Sequence, residues 1–250
     1  MDPQELCMKL YSIIRPAVWA VATVPASTGS HALMLVGLTS ANEIARIDTM
    51  TMMDTRVVIS GLSMGGEHLV GLDTRPSNGL IYGVSTANKL YTVDEDSGVA
   101  TWRADLSAPI LMASRGYGID FNPVADYNDA TSLRRVSSSG DNYAINATTG
   151  AVGNAANMIA AGYSAVAYAN GKLLMPPAPA STALYYIDST NDMLRRASGA
   201  FNTPAIVDVG ALGIDVPKAN GFDIAGNGTA YAALTLDDPT CLPVYTASTC

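Results

Sequence analysis

The chain has 250 residues, 48% of them apolar and only 14% charged, with a net charge of −8. That is enough apolar material for one large all-β domain or two small ones. No run of Lys or Arg exceeds a pair (Arg134-Arg135, Arg195-Arg196), which excludes nucleic acid as a partner because phosphate binding needs clustered cations. No stretch is long and apolar enough for a membrane span, and sparse charge among many Ala, Thr, Ser and Gly suits an extracellular or cell-surface protein.

The first segment reads as an arm, residues 1–34. In "DPQELCMKLYSII", Asp2 stands at an N-cap, Pro3 at the first helical position and Glu5 three residues after the cap. Leu6, Leu10, Ile13 and Ile14 then share one face, which predicts a short amphipathic helix ended by Pro16. Its acidic start and the Arg15-Pro16 interruption argue against a secretory signal peptide. "AVWAVATV" (17–24) is β-prone, with Val18, Trp19 and Val21 as its bulky residues, and "PASTGSH" reads as a linker. A repeat domain follows, residues 35–250.

Four stretches of that domain align: "NEIARIDTMT" with Asp48, "NKLYTVDEDSG" with Asp94, "DNYAINATTG" with Asn146 and "TALYYIDSTND" with Asp188. Each is a short alternating strand that ends in Asp or Asn and a polar turn, at spacings of 46, 52 and 42 residues. A second motif recurs in "GLDTRPSNG" (71–79), "GIDFNPVAD" (118–126) and "GFDIAGNGT" (221–229). Several short strands per unit of this length predict an all-β, propeller-like array of about five antiparallel blades. Any helix after residue 35 is expected to be a turn or two, with "NAANMIAAGY" (154–163) its favoured place.

"ISGLSMGGEHLVGLDTRPSNGLIYGVSTANKLYTVDEDSGVAT", "GYGIDFNPVAD" and "GIDVPKANGFDIAGNGTAYAAL" also occur in the order of a bacterial family that they resemble, domain of unknown function number four-three-nine-four. The resemblance covers about residues 35–235. It implies a propeller-like β fold and, usually, secretion, and it implies no activity or catalytic residues. The chain departs from the pattern at "YNDATS", at the abrupt "CLPVYTASTC" and in the segment before Leu35.

Candidate sites are few. Gly61-Leu-Ser63-Met-Gly65 has the form of a nucleophile elbow, but Asp73, Pro76 and Asn78-Gly79 deny the helix that must follow it, and no His comes after His68. Ser63 is therefore read as part of a link between blades. "DEDSG" (94–98) lacks the sixth-position glycine of a calcium loop, which is Val99 here, and reads as a hairpin turn. Asp73, Asp120 and Asp223 recur at equivalent positions. Their usual role is to accept N–H groups in their own turns; the other is to gather around a central channel. Tyr91, Tyr143 and Tyr186 read as strand core. Asn146 and Asn227 fit the N-glycosylation pattern, and Ser181 and Thr182, in the Pro-rich "MPPAPAST", suit O-linked sugar. Cys241 and Cys250 are expected to form a disulfide, the alternative being a bond from Cys7 to either.

No catalytic, cofactor-binding or metal-ligating residue is assigned. The expectation is a non-enzymatic extracellular structural protein, the protomer of a homopolymeric filament joined to its neighbour through the arm (Leu6, Leu10, Ile13, Ile14, Val18, Trp19, Val21). The competing expectation is a carbohydrate-binding or glycoside-acting propeller with carboxylates at a channel mouth, two of them about 5–10 Å apart in an open cleft.

Overall fold

A computed structural model of the chain describes residues 8–12, 18–24, 34–51, 53–110 and 112–235. The strand β1 (Met8–Ser12) comes first. Then β2 (Val18–Val24), β3 (Met34–Thr39), β4 (Glu43–Asp48) and β5 (Asp54–Val58) form blade one. Blade two is β6 (Leu69–Thr74), β7 (Ile81–Ser85), β8 (Lys89–Val93) and β9 (Ala100–Asp105). Blade three holds β10 (Tyr117–Phe121), β11 (Leu133–Ser137) and β12 (Asn142–Ile145), with the helix α1 (Pro123–Asp126) between its first two strands. Blade four is β13 (Tyr163–Tyr168), β14 (Leu184–Asp188), β15 (Met193–Ser198) and β16 (Ala205–Ala211). Blade five pairs β17 (Lys218–Ile224) with β18 (Ala230–Thr235).

Within each blade consecutive strands are antiparallel. The first strands β2, β6, β10, β13 and β17 touch in that order and close on themselves. The array is therefore a five-bladed propeller, as the repeats predict. Its burial follows from that arrangement. β6, β10 and β13, near the axis, are buried along their whole length, while β5 and β16, at the rim, are mostly exposed. One apolar cluster fills each of the five junctions between blades. Tyr91, Tyr143 and Tyr186 sit in three of them as core residues.

The repeated turns share one mechanism. Asp48, Asp94, Asn146 and Asp188 each use a side-chain oxygen to accept N–H groups two or three residues on. Gly98 and Gly150 close two of these turns at φ of 71° and 74°, and both press against the preceding blade. A Cβ on Gly98 would lie 2.3 Å from the Val58 carbonyl oxygen, and one on Gly150 would lie 2.1 Å from that of Asp105. "DEDSG" is thus a hairpin turn. The repeat is nevertheless out of phase in blade four. Asp48 ends the third strand of its blade and Asp94 and Asn146 directly follow the third strand of theirs, whereas Asp188 ends the second. Strand-plus-turn similarity reports the local turn and carries no label for a strand's place in the sheet.

Two expectations about helices need correction. Met8–Ser12, within the expected N-terminal helix, is a strand that pairs in parallel with β18, Leu10 standing opposite Ala232. A short isolated helix is marginal, and a free sheet edge offers the same residues a full ladder of bonds. Leu6, Ile13 and Ile14 lie outside the described residues, as do Cys7, Cys241 and Cys250. Val18, Trp19 and Val21 belong to β2, which pairs with β3 of the same chain, so the part of the arm that is described is engaged within its own chain. The short helix after residue 35 is α1, where Asn122 accepts the N–H groups of Val124 and Ala125 and Pro123 opens the first turn. "NAANMIAAGY" forms turns instead. No helix of the described residues is long and apolar enough to cross a membrane.

Candidate functional site: a carboxylate-lined cavity on the propeller axis

The site grows out of the first strand of each blade. β2, β6, β13 and β17 each carry a register shift. Two residues beyond the first position after each shift stand Ala22, Asp73, Ala167 and Asp223, and the same Gly-x-Asp triplet in β10 ends in Asp120. Three of five equivalent positions around the axis are therefore aspartates. The glycine of the triplet is dictated by proximity in blade three, since a Cβ on Gly118 would lie 2.6 Å from the Val166 nitrogen. Neighbouring first strands meet there backbone to backbone.

The aspartates clip the ring together. Asp73 accepts the Thr74 and Phe121 N–H groups, each at 2.7 Å, and Phe121 belongs to the next blade. Asp120 accepts the Tyr168 N–H, one blade further on. Both expected roles are thus combined. The carboxylates do accept backbone N–H groups, mostly across blades rather than within their own turns, and they also gather at the channel. Asp73, Asp120 and Asp223 all line one cavity of about 370 Å³, within the range of small-molecule sites. Burial pushes Asp73 well above the usual carboxylate range, and the Asp223 charge adds to it. Asp120 is raised likewise, by burial first and then by Asp73 and Asp223. Thr74 lines the same cavity, and its hydroxyl is buried without a hydrogen-bond partner. Pro76, Phe121, Leu173, Met175 and Ile224 make much of the remaining wall apolar. Among the described residues, no group of three or more His, Cys, Asp or Glu is arranged to hold a metal ion.

A strap at 171–175 borders the cavity, and sequence reasoning missed it. Leu174 N–H bonds to the Pro76 carbonyl at 2.8 Å, and Met175 N–H bonds to the Tyr127 hydroxyl at 2.9 Å. That hydroxyl lies within donating distance of the Pro76 and Lys172 carbonyls. The turn beneath is braced by Asp126, which pairs with Arg75 at 2.6 Å and accepts the Ser77 N–H at 2.8 Å. The only signal in the sequence is the length of the β13–β14 connection, "ANGKLLMPPAPAST".

The other candidate residues lie elsewhere. After Ser63 the chain forms a turn and then β6, so the strand-turn-helix of a nucleophile elbow is not present. Ser63 Oγ sits 2.9 Å from the Tyr91 hydroxyl and 3.2 Å from Glu67. Glu67 also accepts from Ser85, Tyr91 and the Met64 N–H, so this cluster pins the link between blades one and two. His68 is exposed. Asn146 and Asn227 each have the side-chain oxygen committed to their own turn, and Asn227 is exposed beside the cavity. Ser181 is exposed, and the Thr182 hydroxyl donates to the Ala169 carbonyl at 2.6 Å.

Among solved structures, the chain is similar to the PQQ-bound aldose sugar dehydrogenase of Streptomyces coelicolor, with 14% identity, a TM-score of 0.47, and coverage of 83% of this chain and 85% of that one. It is also similar to regucalcin, a calcium-binding protein of Agrobacterium tumefaciens, with 13% identity, a TM-score of 0.46, and coverage of 90% and 72%. A computationally designed protein, Ika4, gives 9% identity, a TM-score of 0.36, and coverage of 84% and 99%. Comparison with curated proteins finds no match. Residues 43–247 match the family described as Domain of unknown function (DUF4394), and the chain belongs to that family.

Proposed function

We propose that this propeller is a small-molecule-binding protein whose ligand sits in the axial cavity between Asp73, Asp120 and Asp223. The observation that carries the reading is the convergence of three buried carboxylates, from three blades, on one cavity of about 370 Å³. Burying acidic groups together is costly, and a cavity beside them gives a ligand the means to offset that cost. The three aspartates are themselves buried, 4–7% exposed, and do not stand free as a pair in an open cleft, which favours binding over glycoside cleavage. Thermal-shift and calorimetric screening of cationic and polyhydroxylated small molecules tests it. Saturable binding that is lost in Asp120→Asn supports the reading, and binding untouched by that change sinks it.

A second reading keeps the assembly role, in which an extracellular homopolymer forms by exchange of the arm between copies. What favours it is β1. The repeat calls for an antiparallel third strand beside β18, yet a strand from the far end of the chain takes that place in parallel. Strand addition at a sheet edge works between chains as well as within one. Deleting residues 1–12, which removes β1 and leaves β2 in its blade, leaves folded monomers on this reading when applied to native polymer-forming material. A full-length chain that stays monomeric at high concentration rules it out.

A further inference from the structure

We propose that the ligand of the axial cavity is an organic cation, an ammonium group on an apolar body, with its charge held between Asp73, Asp120 and Asp223. This rests on the binding reading above and narrows it to a ligand class.

Three features of the cavity point to this class. Among the described residues its charged groups are nearly all of one sign: three aspartates line it, and the single cation on its wall, Lys172, is exposed on the strap, where solvent screens it. A positive ligand relieves both the burial of these carboxylates and their mutual repulsion, whereas a neutral polyol leaves the repulsion in place. The carboxylates are also not grouped as metal ligands, so a bare divalent ion does not collect them. A charge spread over an ammonium group and its neighbours suits wider spacing. The rest of the wall is largely hydrocarbon, from Pro76, Leu173 and Met175. Such surfaces accept an alkyl or ring body.

Thr74 gives independent support. Thr74 is among the residues that line the cavity, it is only 7% exposed, and its hydroxyl has no partner. A hydroxyl has both a donor and acceptor sites, and an ammonium N–H is a fitting donor to it. The groups that titrate around the bound charge are Asp73, Asp120, Asp223 and the Tyr168 hydroxyl, with Asp126 acting on Asp73 and Lys172 at the rim. Burial holds the Asp73 and Asp120 carboxyls above the usual carboxylate range, and a bound cation favours their charged form, so binding is expected to release protons to the buffer.

Isothermal titration of the full chain with cyclohexylammonium, cyclohexanol, erythritol and calcium chloride, each alone, tests the inference. The expected result is saturable binding of the amine. Its apparent enthalpy should change with the ionisation enthalpy of the buffer, and its affinity should fall at least about tenfold between pH 8 and pH 5, about 1.4 kcal/mol. Asp120→Asn should weaken it by a similar factor. Thr74→Val, which keeps the side chain's shape and all three carboxylates, should weaken it several-fold, and an unchanged affinity there overturns the placement. Equal binding of cyclohexanol, or binding of erythritol or calcium in place of the amine, overturns the cation while leaving the binding reading intact. If none of the probes and no member of a broad small-molecule library binds, the binding reading fails as well.

Discussion

The carboxylate of Asp73 accepts the backbone N–H of Phe121 at 2.7 Å, a bond that joins the first strands of two neighbouring blades. The same oxygen pair also holds the Thr74 N–H at 2.7 Å, so Asp73→Ala strips partners from two backbone donors. An unsatisfied buried donor costs about 1–3 kcal/mol. Asp73→Ala is expected to lose about 2–4 kcal/mol in urea unfolding, and Asp73→Asn, which keeps one acceptor oxygen, less than that. Equal stability of parent and alanine variant contradicts the clip.

Asp73 and Asp120 are both raised above the ordinary carboxylate range, by burial first and by neighbouring carboxylates second. A group raised on folding stabilises the folded state when protonated. Its contribution is fully present below the unfolded-state pKa and is lost as pH rises through the folded one. Glu67 and Asp188 run the other way: burial pushes them up, but hydrogen bonds pull them further down, and their contribution is lost only below about pH 4, near the ordinary carboxylate values. The ligand-free protein is therefore expected to show a higher urea midpoint near pH 5.5 than at pH 8. The Asp73→Asn/Asp120→Asn double variant should flatten that slope. A parent midpoint that climbs steadily to pH 8 contradicts the assignment.

Gly150 and Gly228 both have positive φ, 74° and 86°, but a Cβ at Gly228 meets nothing within 4 Å, whereas one at Gly150 would lie 2.1 Å from the Asp105 carbonyl oxygen. Left-handed backbone costs an L-residue about 1–2 kcal/mol. Gly228→Ala is expected to cost about that much. Gly150→Ala should cost clearly more, because blades two and three must separate to admit the methyl group. Thermal unfolding of the two variants side by side measures the difference.

Arg135 and Asp141 form an ion pair at 2.5 Å with both side chains fully buried, and the guanidinium lies 4.3 Å from the centre of the Tyr143 ring. Arg135 Nε and Nη1 and Asp141 Oδ1 have no hydrogen-bond partner, so the pair is incompletely satisfied. Removing one partner of such a pair typically costs about 3–5 kcal/mol, because the other is left charged in the core. Asp141→Ala is expected to fall in that range, and the double change Arg135→Met/Asp141→Leu to recover much of the loss. A double variant as unstable as the single one shows that the pair is worth more than the apolar contacts that replace it.

The blade pattern was open to reading along the chain because it is written in local chemistry. Asp94 and Gly98 define a turn by side-chain acceptance and positive φ, and Asn146 and Gly150 define it again. Alternation along "KLYTV" and "NYAI" marks strands that pack at blade junctions. The Ser63 elbow was likewise refused by local means, since Pro76 and Asn78-Gly79 leave no helix to follow it. The recurrence of Asp73, Asp120 and Asp223 was visible too, as three Gly-x-Asp triplets.

What those aspartates do was decided only when the ring closed. Their partners, Phe121 and Tyr168, stand 48 residues beyond each in turn, and no local rule pairs them. The strap over the cavity depends on Tyr127, Pro76 and Leu174 meeting from three blades. Met8–Ser12 followed the free edge of β18 in place of its own helical pattern. Turns and alternation are determined by neighbours within a few residues, so the sequence states them directly. A shared cavity, a crossing strap and the choice of a short segment between helix and strand are determined by what lies opposite in the closed ring, and only the tertiary structure supplies that.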